Sequence, residues 1–166
     1  MLFWGHRPQP DGTLGPSCLS QWWPAPFVVD GRRYATAEHW MMWRKAVLFG
    51  DADAAAQVLA SDSPAEAKAV GRGVRGFESR TWVRHRWEVV VAGSVAKFGS
   101  DPALRDYLLS TGDAVLVEAS PDDLVWGTGL AAAHPDATVP ARWPGLNLLG
   151  QALVEARSRL RDAVRG

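Results

Sequence analysis

The chain has one cysteine, Cys18, among 166 residues, so it forms no internal disulfide and must be held together by packing. It also lacks a charge excess. Eighteen basic residues cancel eighteen acidic ones, which leaves no overall field to draw the protein onto a polyanion or a membrane surface. Any nucleic-acid contact has to be local. No apolar run approaches the roughly 18 residues of a membrane span, and Met1-Leu2-Phe3-Trp4-Gly5-His6 lacks the basic start and apolar stretch of an export signal. The cytoplasm is the expected location. His6, His39, His85 and His134 show no metal-ligand spacing with each other or with Cys18, so neither a metal nor another cofactor is expected. No internal repeat or low-complexity linker divides the chain.

What is abundant is hydrophobic residues, at 47%, and tryptophan, of which there are nine. That composition suits one domain over residues 1–166 with a sizeable core. Asp30-Gly31 between Phe27-Val28-Val29 and Arg32-Arg33-Tyr34 is the commonest signal for a tight hairpin. Thr36 is placed to cap a helix that stops at Gly50-Asp51, and a short helix follows to Ala60. Ser63-Pro64-Ala65-Glu66 is a capping box with proline at the first helical position. Helical spacing runs through Trp82, Val89, Val90 and Phe98, Asp101-Pro102 opens another helix, and Gly112 stops it. Residues 114–118 form a candidate strand, 119–144 a loop, and 147–164 a closing amphipathic helix. The fold class is α+β, a compact and mainly helical domain with a small sheet or hairpin.

The helix capped by Thr36 is the unusual element. Its residues 38–43 are Glu-His-Trp-Met-Met-Trp, and Lys45 follows two positions later. At 100° per residue Glu38 and Lys45 fall within about 20° of each other and about 10.5 Å apart along the axis. Met41, Met42 and Phe49 share that stripe, while Trp40, Trp43 and Val47 take the opposite side, with His39 and Arg44 on the flanks. A helix apolar on two faces is expected to be buried all round, and charges on such a face point to chemistry. The plainer alternative is surface charges beside partly exposed methionines.

Two further stretches bear on ligands. Gly71-Arg72-Gly73-Val74-Arg75-Gly76 spells a GxGxxG, but it follows a helix instead of a strand and has no βαβ unit around it, so a dinucleotide fold is not expected. Its backbone N–H groups and two arginines suit a phosphate, and equally a solvated turn. Asp122 and Asp123 stand between a strand-like run and the glycines around Trp126, where functional carboxylates often lie.

These residues, taken in order, resemble the NADAR family, also called YbiA-like. The resemblance runs over nearly the whole chain, through Phe3-Trp4-Gly5, Leu19-Ser20-Gln21-Trp22, Tyr34 to His39 with Lys45-Ala46, Gly71-Arg72 and Lys97-Phe98. It continues through Leu116 to Pro121 with Asp123, Trp126-Gly127, Gly129-Leu130, and Trp143 to Gly150, which includes Asn147. It implies a compact, mainly helical α+β domain and an N-glycosidase acting on a ribose linked through an exocyclic amine. Two substrate classes are implied: phosphorylated ribosylamino-pyrimidine intermediates of riboflavin synthesis, and ADP-ribose on the amino group of guanine in nucleic acid, the latter with a possible ADP-ribosyltransferase toxin as partner. The family's functional positions fall on Glu38, Trp82 and Asp123, and Lys45 keeps its place in the pattern. Gln21-Trp22 stand where some members have Asn-Phe, and residues 131–142 form a longer loop than in others.

Such a bond breaks when its nitrogen is protonated and the positive charge on the sugar is stabilised. Glu38 and Asp123 are the candidates for those tasks, in either order, each acid–base role being worth typically ~100- to 10,000-fold. Lys45 offers a second route, attack on C1 to give a Schiff base, or serves only to bind phosphate. Trp82 and Trp126 are expected to stack on base or sugar and Arg72 to meet a phosphate. Phe3, Trp4, Gly5, Ser20, Gln21, Trp22, Gly127 and Asn147 complete the expected binding set. Two other classes compete with the hydrolase: a module that binds ADP-ribose without cleaving it, disfavoured by the intact carboxylates, and a tryptophan-rich single-strand binder, disfavoured by the neutral charge.

Overall fold

A computed structural model describes residues 1–165, with the side chains of 164–165 left aside. Strand β1 (Leu2–Phe3) is followed by a 3-10 turn, Pro16–Leu19, and by the hairpin β2 (Phe27–Val29) and β3 (Arg32–Tyr34). Five helices come next: α1 (Ala37–Leu48), α2 (Ala52–Ala60), α3 (Pro64–Arg72), α4 (Ser79–Ser100) and α5 (Pro102–Ser110). After β4 (Val117–Glu118) a long loop with one 3-10 turn, Pro140–Arg142, leads to α6 (Leu148–Arg165).

The local signals act as read. Asp30 (φ 49°) and Gly31 (φ 72°) both take the left-handed conformation a primed turn needs, and the hairpin pairs Phe27 with Tyr34. Thr36, Asp51, Ser63 and Asp101 each accept a hydrogen bond from a first-turn N–H. The small sheet content consists of two separate pairs: the expected antiparallel hairpin, and β1 parallel to β4 with Leu2 opposite Val117 and Phe3 opposite Glu118.

Helix α4 runs through the centre, packing on α1, α5 and α6, and α1 packs also on α2 and α3. Phe98, Leu108, Leu116, Leu149 and Leu153 are fully buried where α4, α5, β4 and α6 meet. Tyr34, Trp40 and Trp43 cluster with Phe27 at the hairpin end. Helix α1 is not buried all round: Val47 and Leu48 are exposed, and Arg44, also exposed, lays its guanidinium over the Trp40 ring. Its neighbours leave that flank to solvent. His39, placed on a flank by the helical wheel, is buried instead, its ring nitrogens held by Thr36 Oγ1 (2.8 Å) and the Ser61 carbonyl (3.2 Å).

Candidate active site

Glu38 sits in the first turn of α1, where its charge faces the positive end of the helix dipole. It is 2% exposed. Its Oε2 accepts from the Trp22 indole at 3.3 Å, its backbone N–H donates to the Gln21 carbonyl, and its Oε1 has no hydrogen-bond partner. Burial pushes its carboxyl up to about 7, against the opposing pull of Lys68, the Trp22 hydrogen bond and Arg72; the nearby Asp123 charge adds to the rise.

Two turns along the same stripe, Lys45 Nζ donates to the Gly71 carbonyl at 2.6 Å and stands 4.2 Å from the Phe77 ring centroid and 5.9 Å from that of Trp82. Burial lowers its pKa. Gly71 permits this approach: a Cβ there would collide with the Met42 side chain, which would have to move for any larger residue to fit.

Asp123 follows β4 in a tight turn in which its Oδ1 accepts from the backbone N–H groups of Val125 (2.9 Å) and Trp126 (2.7 Å). That fixes the carboxylate and the Trp126 backbone together. Trp22, Glu38, Lys45, Trp82, Asp123 and Trp126 all line one cavity of about 610 Å³, with Ser20, Gln21 and Arg72 also in its wall. The charged helix face, the Asp122-Asp123 loop and the Trp82 helix, remote in sequence, converge on it.

Other expected binding residues stand outside its lining. Trp4 is 63% exposed away from it, and Gly5 turns the chain with φ 75°. Phe3, Gly127 and Asn147 are used in the frame behind the cavity. Phe3 pairs with Glu118, Asn147 Oδ1 accepts from the Glu118 N–H at 2.9 Å, and Asn147 Nδ2 donates to the Leu116 carbonyl. Gly127 lies so close to Ser120 and to the Glu118 and Asp123 carbonyls that a Cβ would be crowded. The Gly71–Gly76 stretch is a helix end, not a free phosphate cradle: Gly73 N–H bonds to Val70, and Arg75 is engaged by Asp51 and Asp53 at 2.7 and 2.6 Å.

The lining also holds residues to which the sequence assigned no role: Glu118, which lies inside the Leu116–Pro121 motif, and Lys68, Phe77 and Arg86. Glu118 Oε2 is buried without a partner, and burial, with help from Asp123 and Glu38, pushes the carboxyl up to about 8. Available signals were a glutamate closing the strand-like run before Ala-Ser-Pro, Lys68 one turn before Arg72 on α3, and Arg86 one turn after Trp82 on α4. Lys45, Lys68, Arg72 and Arg86 make no ion pair among the described residues. The cavity therefore presents carboxyl groups from α1 and the β4 loop, and unpaired cations from α1, α3 and α4. No helix among the described residues is long and apolar enough to cross a membrane.

A family model, the NADAR domain, matches residues 2–161. The chain belongs to the NADAR family. Among its relatives an N-glycosidase of Acanthamoeba polyphaga mimivirus is 38% identical over 148 residues, covering 86% of this chain and 87% of that protein. A chloroplastic riboflavin biosynthesis protein PYRR of Zea mays is 34% identical over 79% of this chain, a match confined to 20% of its own length. The NMR structure of the E. coli protein YbiA superposes with a TM-score of 0.77 at 26% identity, covering 99% of this chain and 87% of that one. The mainly helical architecture is thus shared with YbiA.

Proposed function

We propose that this NADAR protein hydrolyses the bond between a phosphorylated ribose and an exocyclic amine, with Glu38 as the proton-exchanging group and Asp123 as the anion beside the sugar. That it is a hydrolase of N-glycosyl bonds follows from its family and from the mimivirus N-glycosidase, similar over most of both chains. The observation that carries the residue roles is Glu38: a carboxyl buried at a cavity wall with one oxygen unpartnered, poised to gain or lose a proton near neutral pH. As the C1–N bond breaks, positive charge grows on the ribose, and Asp123, fixed by two backbone N–H groups, is placed to stabilise it. Lys68, Arg72 and Arg86 suit the phosphate, since no carboxylate pairs with them. Trp22, Trp82 and Trp126 offer rings for the base and sugar.

The substrate favoured first is the phosphorylated ribosylamino-pyrimidine of riboflavin synthesis, because the similar Zea mays protein is named for that process. ADP-ribose on the amino group of guanine is the second reading, and one observation favours it. A second cavity of about 510 Å³, lined by Glu78, Ser79, Arg80, Val83 and Arg84, shares Ser79 and Val83 with the first, giving a longer diphosphate ligand basic groups beyond the pocket. On that reading an ADP-ribosyltransferase must supply the substrate.

The test incubates wild-type protein with the ribosylamino-pyrimidine phosphate and, separately, with guanine-ADP-ribosylated DNA. Release of ribose 5-phosphate from the first is expected. Release of ADP-ribose alone would move the substrate to the second reading, and binding of free ADP-ribose with no release from either would replace the hydrolase by a binding module.

A further inference from the structure

Glu118 stands in the cavity wall, and its placement uses much of the surrounding frame. Its backbone N–H donates to Asn147 Oδ1 (2.9 Å), its carbonyl accepts from Thr128 N–H (3.0 Å), and the next residue's N–H donates to the Phe3 carbonyl (2.9 Å). β1, the Gly127 turn and the start of α6 thus all converge on one residue that closes a two-residue strand. Its side chain then reaches the same cavity as Glu38, and each carboxyl keeps one buried oxygen, Glu118 Oε2 and Glu38 Oε1, with no partner in the protein. A buried carboxylate without a donor is costly; a protonated carboxyl that hands its proton to a ligand is not.

We infer that Glu118 is the proton donor to the leaving amine, which leaves Glu38 to take the proton of the attacking water. This rests on the N-glycosidase reading. In the step, the C1–N bond breaks with its electron pair going to nitrogen, which receives the proton from Glu118 Oε2. Water bonds to C1 through oxygen and gives one proton to Glu38. Transfer of that proton from Glu38 back to Glu118 restores the enzyme, so amine-linked ribose and water give free amine and ribose. Glu118 holds its proton because burial and the negative charges of Asp123 and Glu38 oppose ionisation, with Lys68 the opposing cation. The arrangement follows the rule that two carboxyls with different surroundings divide the acid and base tasks.

Glu118→Gln tests it, since the amide preserves shape and removes the proton. Against the ribosylamino-pyrimidine phosphate, kcat is expected to fall ~100-fold or more, whereas against 4-nitrophenyl riboside 5-phosphate, whose leaving group departs without protonation, the loss is ~10-fold or less. Equal losses on both, or none on either, would overturn the assignment. A second readout needs no turnover: the infrared band of a protonated carboxylic acid in wild-type protein at pH 7, reduced by more than half in Glu118→Gln, where Glu38 is the remaining raised carboxyl of the cavity. Its absence from wild type overturns the proposal. Failure of wild type to cleave either compound, with that band present, would fault the glycosidase reading instead.

Discussion

At the scale of single residues, burial does the chemical work. Lys45 is a lysine with no carboxylate partner, held by the Gly71 carbonyl between the Phe77 and Trp82 rings, and burial favours its neutral amine. If that amine attacks C1, borohydride added during turnover traps a covalent ribose adduct, visible as a mass increase on the Lys45 peptide. With water as the nucleophile no adduct is expected; a wild-type adduct that is absent from Lys45→Arg would make Lys45 the nucleophile instead. Glu38, Lys45 and Asp123 were legible in the sequence because each stands out locally, two as charges on an apolar helix stripe and one in a glycine-flanked turn. Glu118 was not. It lies within the Leu116–Pro121 motif, but nothing local says whether its side chain reaches a ligand, and its burial depends on Phe3 and Asn147, which lie elsewhere in the chain. Asn147 and Gly127 carried a similar ambiguity: a required residue in a motif looks the same whether it touches ligand or holds the residue that does.

Elements were legible in proportion to how local their causes are. Caps at Thr36, Ser63 and Asp101 and the Asp30-Gly31 turn involve residues within four positions, and all formed. The β1–β4 pair joins two-residue strands more than a hundred positions apart, too short to show alternation. The same holds for the support of the Ser20–Trp22 loop. Lys97, in the last turn of α4 and 1% exposed, donates to the carbonyls of Cys18 (2.6 Å) and Ser20 (2.8 Å), fixing the loop that carries Gln21 and Trp22 to Glu38. Lys97→Met takes the lysine donor from the buried Cys18 carbonyl and leaves the Ser20 carbonyl with the Trp23 N–H alone. Urea unfolding is expected to show a loss of ~1–3 kcal/mol, the cost of one unsatisfied buried group; a loss below ~0.5 kcal/mol would mean that the loop is held by other contacts.

Over the whole molecule, the neutral composition conceals a sorted interior. Charges cancel in the sum, while two carboxyls are buried at the cavity and pushed up to about 7 and about 8. A carboxyl raised on folding contributes stability that is fully present below its unfolded value near 4.5 and is lost as pH rises through the folded value. The protein is therefore expected to lose thermal stability between about pH 4.5 and about pH 8 through these two groups. Glu118→Gln, which cannot ionise, should match wild type at pH 5 and melt higher at pH 9, each kcal/mol relieved corresponding to ~2–4 °C for a chain of this length. A variant that melts lower than wild type at pH 9 would contradict the burial of an unpartnered Glu118 carboxyl. Such stored cost is the familiar trade between a working site and a stable one.

The most direct test of the central claim is single-turnover cleavage of the ribosylamino-pyrimidine phosphate by wild type and by Glu38→Gln, with folding of both verified by circular dichroism. A loss of ~100- to 10,000-fold in the chemical step, with substrate affinity retained, is the predicted result. Undiminished cleavage by a folded Glu38→Gln would contradict it and move the chemistry to another group.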